Sequence, residues 1–142
     1  MNEELQKRLL EHNEFAKNKH PGLVGVVITS LQPSEVKGEF AVTESVIAGT
    51  GYLWAPVIIT LADWLASVGT ANNIPDTHSF TTIELKTNFL GSAKEGQVVS
   101  GVATASHIGK STQVWDVDIF NNESGKKIAL FRCTQMVLSP PR

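Results

Sequence analysis

The chain has 142 residues, 42% hydrophobic and 18% charged, a balance that excludes a disordered chain and suits one domain around one core. Its formal net charge of −2 gives no general attraction to nucleic acid or an anionic membrane, so a phosphate-bearing ligand would need a local basic patch. The single cysteine, Cys133, excludes an intrachain disulfide.

Residues 2–18 predict an amphipathic helix, with Leu5, Leu9, Leu10 and Phe15 at near-helical spacing among charges. His20-Pro21-Gly22 is expected to stop it. The charges run through this terminus without the apolar stretch of a signal peptide, and no apolar run reaches the roughly 20 residues of a membrane span. A soluble, cytoplasmic protein is the expectation. Two strands follow, about 24–31 and 35–42, with the turn at Gln32-Pro33-Ser34. In the second, Val36, Gly38, Phe40 and Val42 share one face and Lys37, Glu39 and Ala41 the other.

Next comes the run PVIITLADWLASVG, 56–69, and then four strand-like segments at about 81–90, 96–107, 111–121 and 126–138. In the first of these, Ile83, Leu85, Thr87 and Phe89 alternate against Thr82, Glu84, Lys86 and Asn88. Hairpin-length links predict antiparallel pairing among the four. Cys133 falls in the last segment, where a small buried hydrophobe competes with a reactive thiol as its reading. The whole chain, 1–142, reads as one α+β domain, with residues 1–20 as the N-terminal helix and 21–139 as the core.

Between Ser45 and Pro75 there is one acidic or basic side chain, Asp63. The helix around it is apolar in nearly every direction, which predicts burial nearly all round. Pro56 fits its first position and Gly69 its end. One small sheet covers only part of such a helix, so its remaining apolar face is expected to meet a second subunit. A carboxylate there is costly unless it is hydrogen-bonded or faces a cleft. Two readings stand side by side: Asp63 bonded to a Ser or Thr across a helix–helix seam, or Asp63 serving a site.

GYLWAPVIITLADWLASVGT, TTIELKTNFLGSAKEGQVV and ATASHIGKSTQVWDVDIFNNESGKKIALFRCTQMVL, taken in order, resemble the helix, the next strand and the last three strands of PaaI-like hotdog-fold acyl-CoA thioesterases. The resemblance runs from about Gly22 to Leu138. It implies a hotdog fold, an antiparallel sheet wrapped around a central apolar helix. It also implies hydrolysis of an acyl-CoA thioester at a dimer interface, in a homodimer or a dimer of dimers. Asp63 matches the family's acid, nucleophile or general base toward water. Ala55 matches the backbone donor that polarises the thioester carbonyl, aided by the helix dipole. Eight residues separate the two, about 12 Å of helix, so both reach one carbonyl only if each comes from a different subunit.

The chain departs from the family at Trp54, where a histidine is usual, at Ala55 and Pro56, where two glycines are usual, and at Ala48, where Asn or Gln is usual. Ser67, one turn after Asp63, and Thr81 or Thr82 have hydroxyls to orient the carboxylate or the water; close helix packing is the other reading of Ser67. Trp54 borders the acyl pocket or belongs to the core. His107, Gly109, Lys110 and Ser111 form a turn suited to the nucleotide end of coenzyme A, with Lys94 joining them, or else an ordinary hairpin. No metal or redox cofactor is expected, because a thioester is already activated. His12, His20 and His78 lack partners at metal-ligand spacing. A dehydratase is disfavoured because no histidine lies between His20 and His78 near the acidic helix. The competing functions are a non-catalytic acyl-CoA or acyl-ligand binding protein and a purely structural dimer.

Overall fold

The computed structural model describes all 142 residues. In chain order they form α1 (Glu3–Ala16), α2 (His20–Leu23), β1 (Val27–Gln32), β2 (Glu35–Ala41), α3 (Ala55–Ala71), β3 (Ser79–Phe89), β4 (Val98–Ile108), β5 (Thr112–Asn121) and β6 (Lys127–Leu138). The six strands make one antiparallel sheet in the order β1-β2-β4-β5-β6-β3. Every strand touches α3. The arrangement is α+β: a sheet curled around one apolar helix, as the hotdog resemblance implies. No helix is long and apolar enough to cross a membrane.

The helix sits close because the sheet is carved to receive it. Gly38 on β2 and Gly101 on β4 are cross-strand partners, and a Cβ on either would fall within 2.8 Å of the Leu65 side chain. The missing side chains form a saddle for Leu65, which is fully buried. One turn later Gly69 packs against the Trp115 ring of β5, where a Cβ would lie 2.5 Å from the nearest ring carbon. Leu61, Ala62, Leu65 and Ala66 fill the interface between helix and sheet, against Phe40, Val99, Ala103, Trp115 and Ile119.

Four expectations need correction. Gly69 does not end the helix, which runs on to Ala71; it is glycine because Trp115 leaves no room. His20-Pro21-Gly22 does not simply stop α1; it forms α2, with Pro21 in the first turn, where a missing N–H costs nothing. The last four strands are not successive neighbours. β3 pairs with β6 at the sheet edge, while β4 enters beside β2. The outer face of α3 is also not left wholly to a second subunit. On that face the α1 residue Phe15 stacks on Trp64, ring centroids 6.4 Å apart and planes at 21°, and His12 meets the same ring edge-on at 6.2 Å.

α1 is capped at its start and tied down toward its end. Asn2 caps its N-terminus, accepting from the Leu5 N–H at 2.9 Å, and Glu3 and Glu4 complement the helix dipole. The Asn13 amide closes a two-point bond to the Ile28 backbone, accepting at 2.8 Å and donating at 3.0 Å, which ties the helix to the β1 edge.

Alanine is favoured over glycine in a helix interior by about 1 kcal/mol. Gly69→Ala should nevertheless destabilise the fold by about 1–3 kcal/mol through overpacking against Trp115. Urea denaturation measures this; a stabilised variant would show that Trp115 yields.

Candidate active site

Asp63 is half-buried on α3, on the flank of the helix that faces β3. Thr82 Oγ1 lies 3.0 Å from Asp63 Oδ1 and 3.1 Å from the side-chain amide of Gln135. A hydroxyl has one hydrogen, and a carboxylate is the stronger acceptor. That hydrogen therefore goes first to Asp63 Oδ1, with Gln135 Oε1 as its second acceptor. Gln135 Nε2 donates to the Cys133 sulfur at 3.5 Å, which extends the polar relay from Asp63 to Cys133.

Sheet register builds this relay. Gln113 on β5, Gln135 on β6 and Thr82 on β3 are cross-strand partners in a single row. Both glutamines are fully buried. Gln113 Oε1 accepts from the Trp115 indole at 3.1 Å, and its Nε2 makes no hydrogen bond. Thr82 joins the row because β3 has a bulge between Thr82 and Glu84. Directly paired residues share a sheet face. Thr82, Leu85, Thr87 and Phe89 pair with Gln135, Cys133, Phe131 and Ala129, all buried. Strict alternation puts Thr82 opposite Leu85; the bulge at Ile83 turns Thr82 to the helix side with it.

Burial pushes the Asp63 carboxyl above the usual aspartate range, and hydrogen bonds from Thr82 and Gln135 pull it part of the way back. Burial, reinforced by the Asp63 charge, pushes the Cys133 thiol up to about 12. Cys133 is therefore a buried thiol and not a nucleophile.

Beside Asp63 runs a groove of about 210 Å³, walled by His20, Thr60, Trp64 and Ser67. His20 comes from α2, its Nε2 2.9 Å from Thr60 Oγ1. Thr60 gives its own hydrogen to the Pro56 carbonyl at 3.2 Å, so the imidazole is the donor and carries its proton on Nε2. A histidine thus does reach the acidic helix, against the expectation from sequence, because α2 folds back over Thr60. Ser67 borders the same groove and makes no hydrogen bond to Asp63. Thr81 is exposed on β3, one residue from the relay.

Ala55 opens α3, exposed, and its N–H has no partner within the chain. Trp54 is the N-cap residue, extended at φ −62° and ψ 130°, with its side chain 51% exposed. Trp54 is therefore surface and not core. The sequence places Lys94 with His107, Gly109, Lys110 and Ser111, and within one chain Lys94 lies apart from the other four. Lys94 precedes β4 and covers the Tyr52 ring at 5.5 Å near the start of α3. The Gly109–Ser111 turn follows β4, with His107 near the end of that strand, at the opposite end of the sheet from Lys94. The eleven residues of β4 separate Lys94 from Gly109, roughly 36 Å at ~3.3 Å each.

Sequence reasoning missed Gln113, Gln135 and His20. The glutamines stand at inward positions of strands whose other inward residues are apolar, and a buried amide at such a position is itself a signal. His20 offered none, because it depends on how α2 folds back.

Thr82→Val keeps the shape and removes the donor. The Asp63 carboxyl should then titrate at higher pH than in the wild type, and Thr82→Ser should restore it, as read by carbon NMR of the aspartate carboxyl. An unmoved titration would show that Thr82 does not stabilise the charged form.

The thioesterase superfamily matches residues 50–128. The 1,4-dihydroxy-2-naphthoyl-CoA hydrolase of Listeria monocytogenes is 37% identical over 111 residues, 78% of this chain and 89% of that protein. A thioesterase of Staphylococcus aureus is similar in structure, with a TM-score of 0.79 at 32% identity over 83% of this chain and 97% of that one. The PaaI protein of Escherichia coli shares the fold, at a TM-score of 0.82 and 20% identity, covering 96% of this chain and 97% of that one. With more than half its length matched, the chain belongs to the thioesterase superfamily, as an enzyme with the hotdog fold.

Proposed function

We propose that the protein hydrolyses acyl-CoA thioesters to the free acid and coenzyme A, at sites shared between two subunits. The observation that carries this reading is the half-buried Asp63 carboxylate, oriented by Thr82 and open to a groove. Its raised proton affinity suits a general base. A water oxygen attacks the thioester carbonyl while Asp63 takes a proton from it. The C–S bond then breaks, and the departing thiolate recovers a proton to leave as coenzyme A. Direct attack by the carboxylate, followed by hydrolysis of the anhydride, reaches the same products. The Listeria relative's name, a CoA-thioester hydrolase, supports coenzyme A as the thiol.

The unpartnered Ala55 N–H at the start of α3 suits the developing oxyanion. About 12 Å of helix separates it from Asp63 of its own chain. β3 supports the two-subunit arrangement. It is an edge strand with one neighbour, and Ile83, Leu85 and Phe89 are 53%, 40% and 45% exposed. Such an edge invites pairing. Two β3 strands meeting antiparallel about a twofold axis would set the two α3 helices side by side and reversed. The Ala55 and Lys94 end of one chain would then adjoin Asp63, Thr81, Thr82 and the His107–Ser111 turn of the other. That brings Lys94 back to Gly109, Lys110 and Ser111, where the diphosphate of coenzyme A would lie. Trp54 would border the thioester, and Ser67 the acyl group.

Asp63→Asn should lower kcat/KM at least ~100-fold while leaving size and circular dichroism unchanged. Thiol release from short, long and aromatic acyl-CoAs measures it, and undiminished activity would remove Asp63 from the mechanism. Binding of these esters by the wild type without turnover would instead favour an acyl-CoA binding protein.

Subunit sharing has its own test. Ala55→Pro deletes the N–H at a helix position that tolerates proline. Each variant alone should be inactive. Asp63→Asn and Ala55→Pro chains unfolded together and refolded as an equal mixture should recover about one quarter of wild-type activity, since half the dimers would carry one intact site. No recovery would confine the site to one chain.

A further inference from the structure

Gln135 is fully buried on β6, whose other buried residues, Ile128, Ala129, Phe131 and Cys133, are apolar. A buried amide is costly unless its polar atoms find partners. Its Nε2 is held by the Cys133 sulfur at 3.5 Å. That fixes Oε1 toward Thr82 Oγ1, 3.1 Å away. Gln113, its neighbour in the row, gives no hydrogen bond from Nε2, so Thr82 is the one side chain that can donate to Gln135 Oε1.

The hydrogen count at this junction depends on the charge of Asp63. While Asp63 is ionised, the single hydrogen of Thr82 serves the carboxylate at 3.0 Å, and Gln135 Oε1 goes without. A protonated carboxyl is different: it has a hydrogen to give and has lost the charge that made it the stronger acceptor. Turning the Thr82 hydroxyl about its Cβ–Oγ1 bond then sends its hydrogen to Gln135 Oε1. The lone pairs of Oγ1 are left to accept from Asp63. The row is one hydrogen short while the base is charged, and complete once the base holds a proton.

We propose that Thr82 and Gln135 form a hydrogen switch that follows the charge of Asp63, with Gln135 as a positioning residue for the general base. This rests on the hydrolysis reading above. As the water oxygen bonds to the thioester carbon, its proton passes to Asp63 and the Thr82 hydrogen moves from Asp63 Oδ1 to Gln135 Oε1. When the C–S bond breaks, Asp63 gives the proton to the departing thiolate and the Thr82 hydrogen returns. Gln135 touches no reacting atom. Two other titratable groups approach Asp63, Cys133 on β6 and His20 on α2. The Cys133 thiol, pushed up to about 12 by burial and then by the Asp63 charge, keeps its proton throughout.

The first test is spectroscopic and leaves Gln135 in place. As pH falls, the side-chain carbonyl carbon of Gln135 should move downfield with the same midpoint as the Asp63 carboxyl. The movement should vanish in Asp63→Asn, which separates Asp63 from His20. It should vanish in Thr82→Val and persist in Thr82→Ser. A Gln135 carbonyl that ignores Asp63, or follows it equally without the Thr82 hydroxyl, would overturn the switch. The second test is kinetic. Gln135→Met keeps the shape and replaces the amide with a weak acceptor. Its loss of kcat should be roughly 5- to 10-fold larger in the wild-type and Thr82→Ser backgrounds than in Thr82→Val, the worth of one net hydrogen bond, with KM unchanged. Comparing backgrounds removes any direct effect of the amide on Asp63, which needs no hydroxyl. The same change in all three backgrounds, including no change, would overturn the proposal. Failure of the hydrolysis reading has a different signature: no thiol release from any ester, while the Gln135 and Asp63 titrations stay linked.

Discussion

The site depends on one hydrogen bond, from Thr82 to Asp63. An isolated carboxylate on an apolar helix would be expensive to hold. Thr82 makes it tolerable: its single hydrogen has two acceptors in reach, Asp63 Oδ1 and Gln135 Oε1, and the charged carboxylate is the stronger. The balance matters for chemistry. Full satisfaction by several donors would leave a weak base, and burial alone would leave a protonated acid. Burial outweighs the hydrogen bonds from Thr82 and Gln135, which keeps the carboxyl above its usual range while it stays accessible from the groove.

That bond in turn rests on backbone irregularity and close packing. The β3 bulge turns Thr82 to the helix side. The height of the helix above the sheet is set elsewhere, by Leu65 over the Gly38–Gly101 pair and by Gly69 beneath Trp115. Trp115 also donates to Gln113, which stands in the same cross-strand row as Gln135 and Thr82. Packing and polar row therefore share a residue: Trp115 both braces the helix and anchors the row that orients its carboxylate.

Much of this was legible from sequence and some could not be. Strand alternation in Val36–Val42 and the lone acid in PVIITLADWLASVG follow from the side-chain periods of strand and helix, and both carried over to the structure. The neighbour of β3 did not follow, because link length speaks for adjacency while the closing of the sheet around α3 sends β4 to β2. Thr82 was on the wrong face of the alternation, since a bulge inserts one residue without announcing it in composition. Gly69 resembled a helix end because the reason for its missing side chain, Trp115, lies 46 positions away along the chain. Lys94 and Lys110 looked like partners through family spacing, and the length of β4 separates them within one chain.

The last constraint is the unfinished edge of β3. Leu85 and Phe89 belong to the inner face by their cross-strand partners and are nonetheless 40% and 45% exposed. α3 is one helix under a six-stranded sheet, and it leaves the β3 end uncovered. α1 shields Trp64 on the outer flank but does not reach these two residues. A protein with an apolar inner face and an open strand edge at the same place has two deficits that one twofold contact answers together. The proposed dimer continues the sheet through β3 and brings a second α3 against the exposed apolar residues. The reversed helix then offers a free N–H to the thioester oxygen beside the carboxylate, which its own chain's Ala55 is too far away to supply. In that arrangement the burial that completes the fold and the geometry that completes the site are the same event.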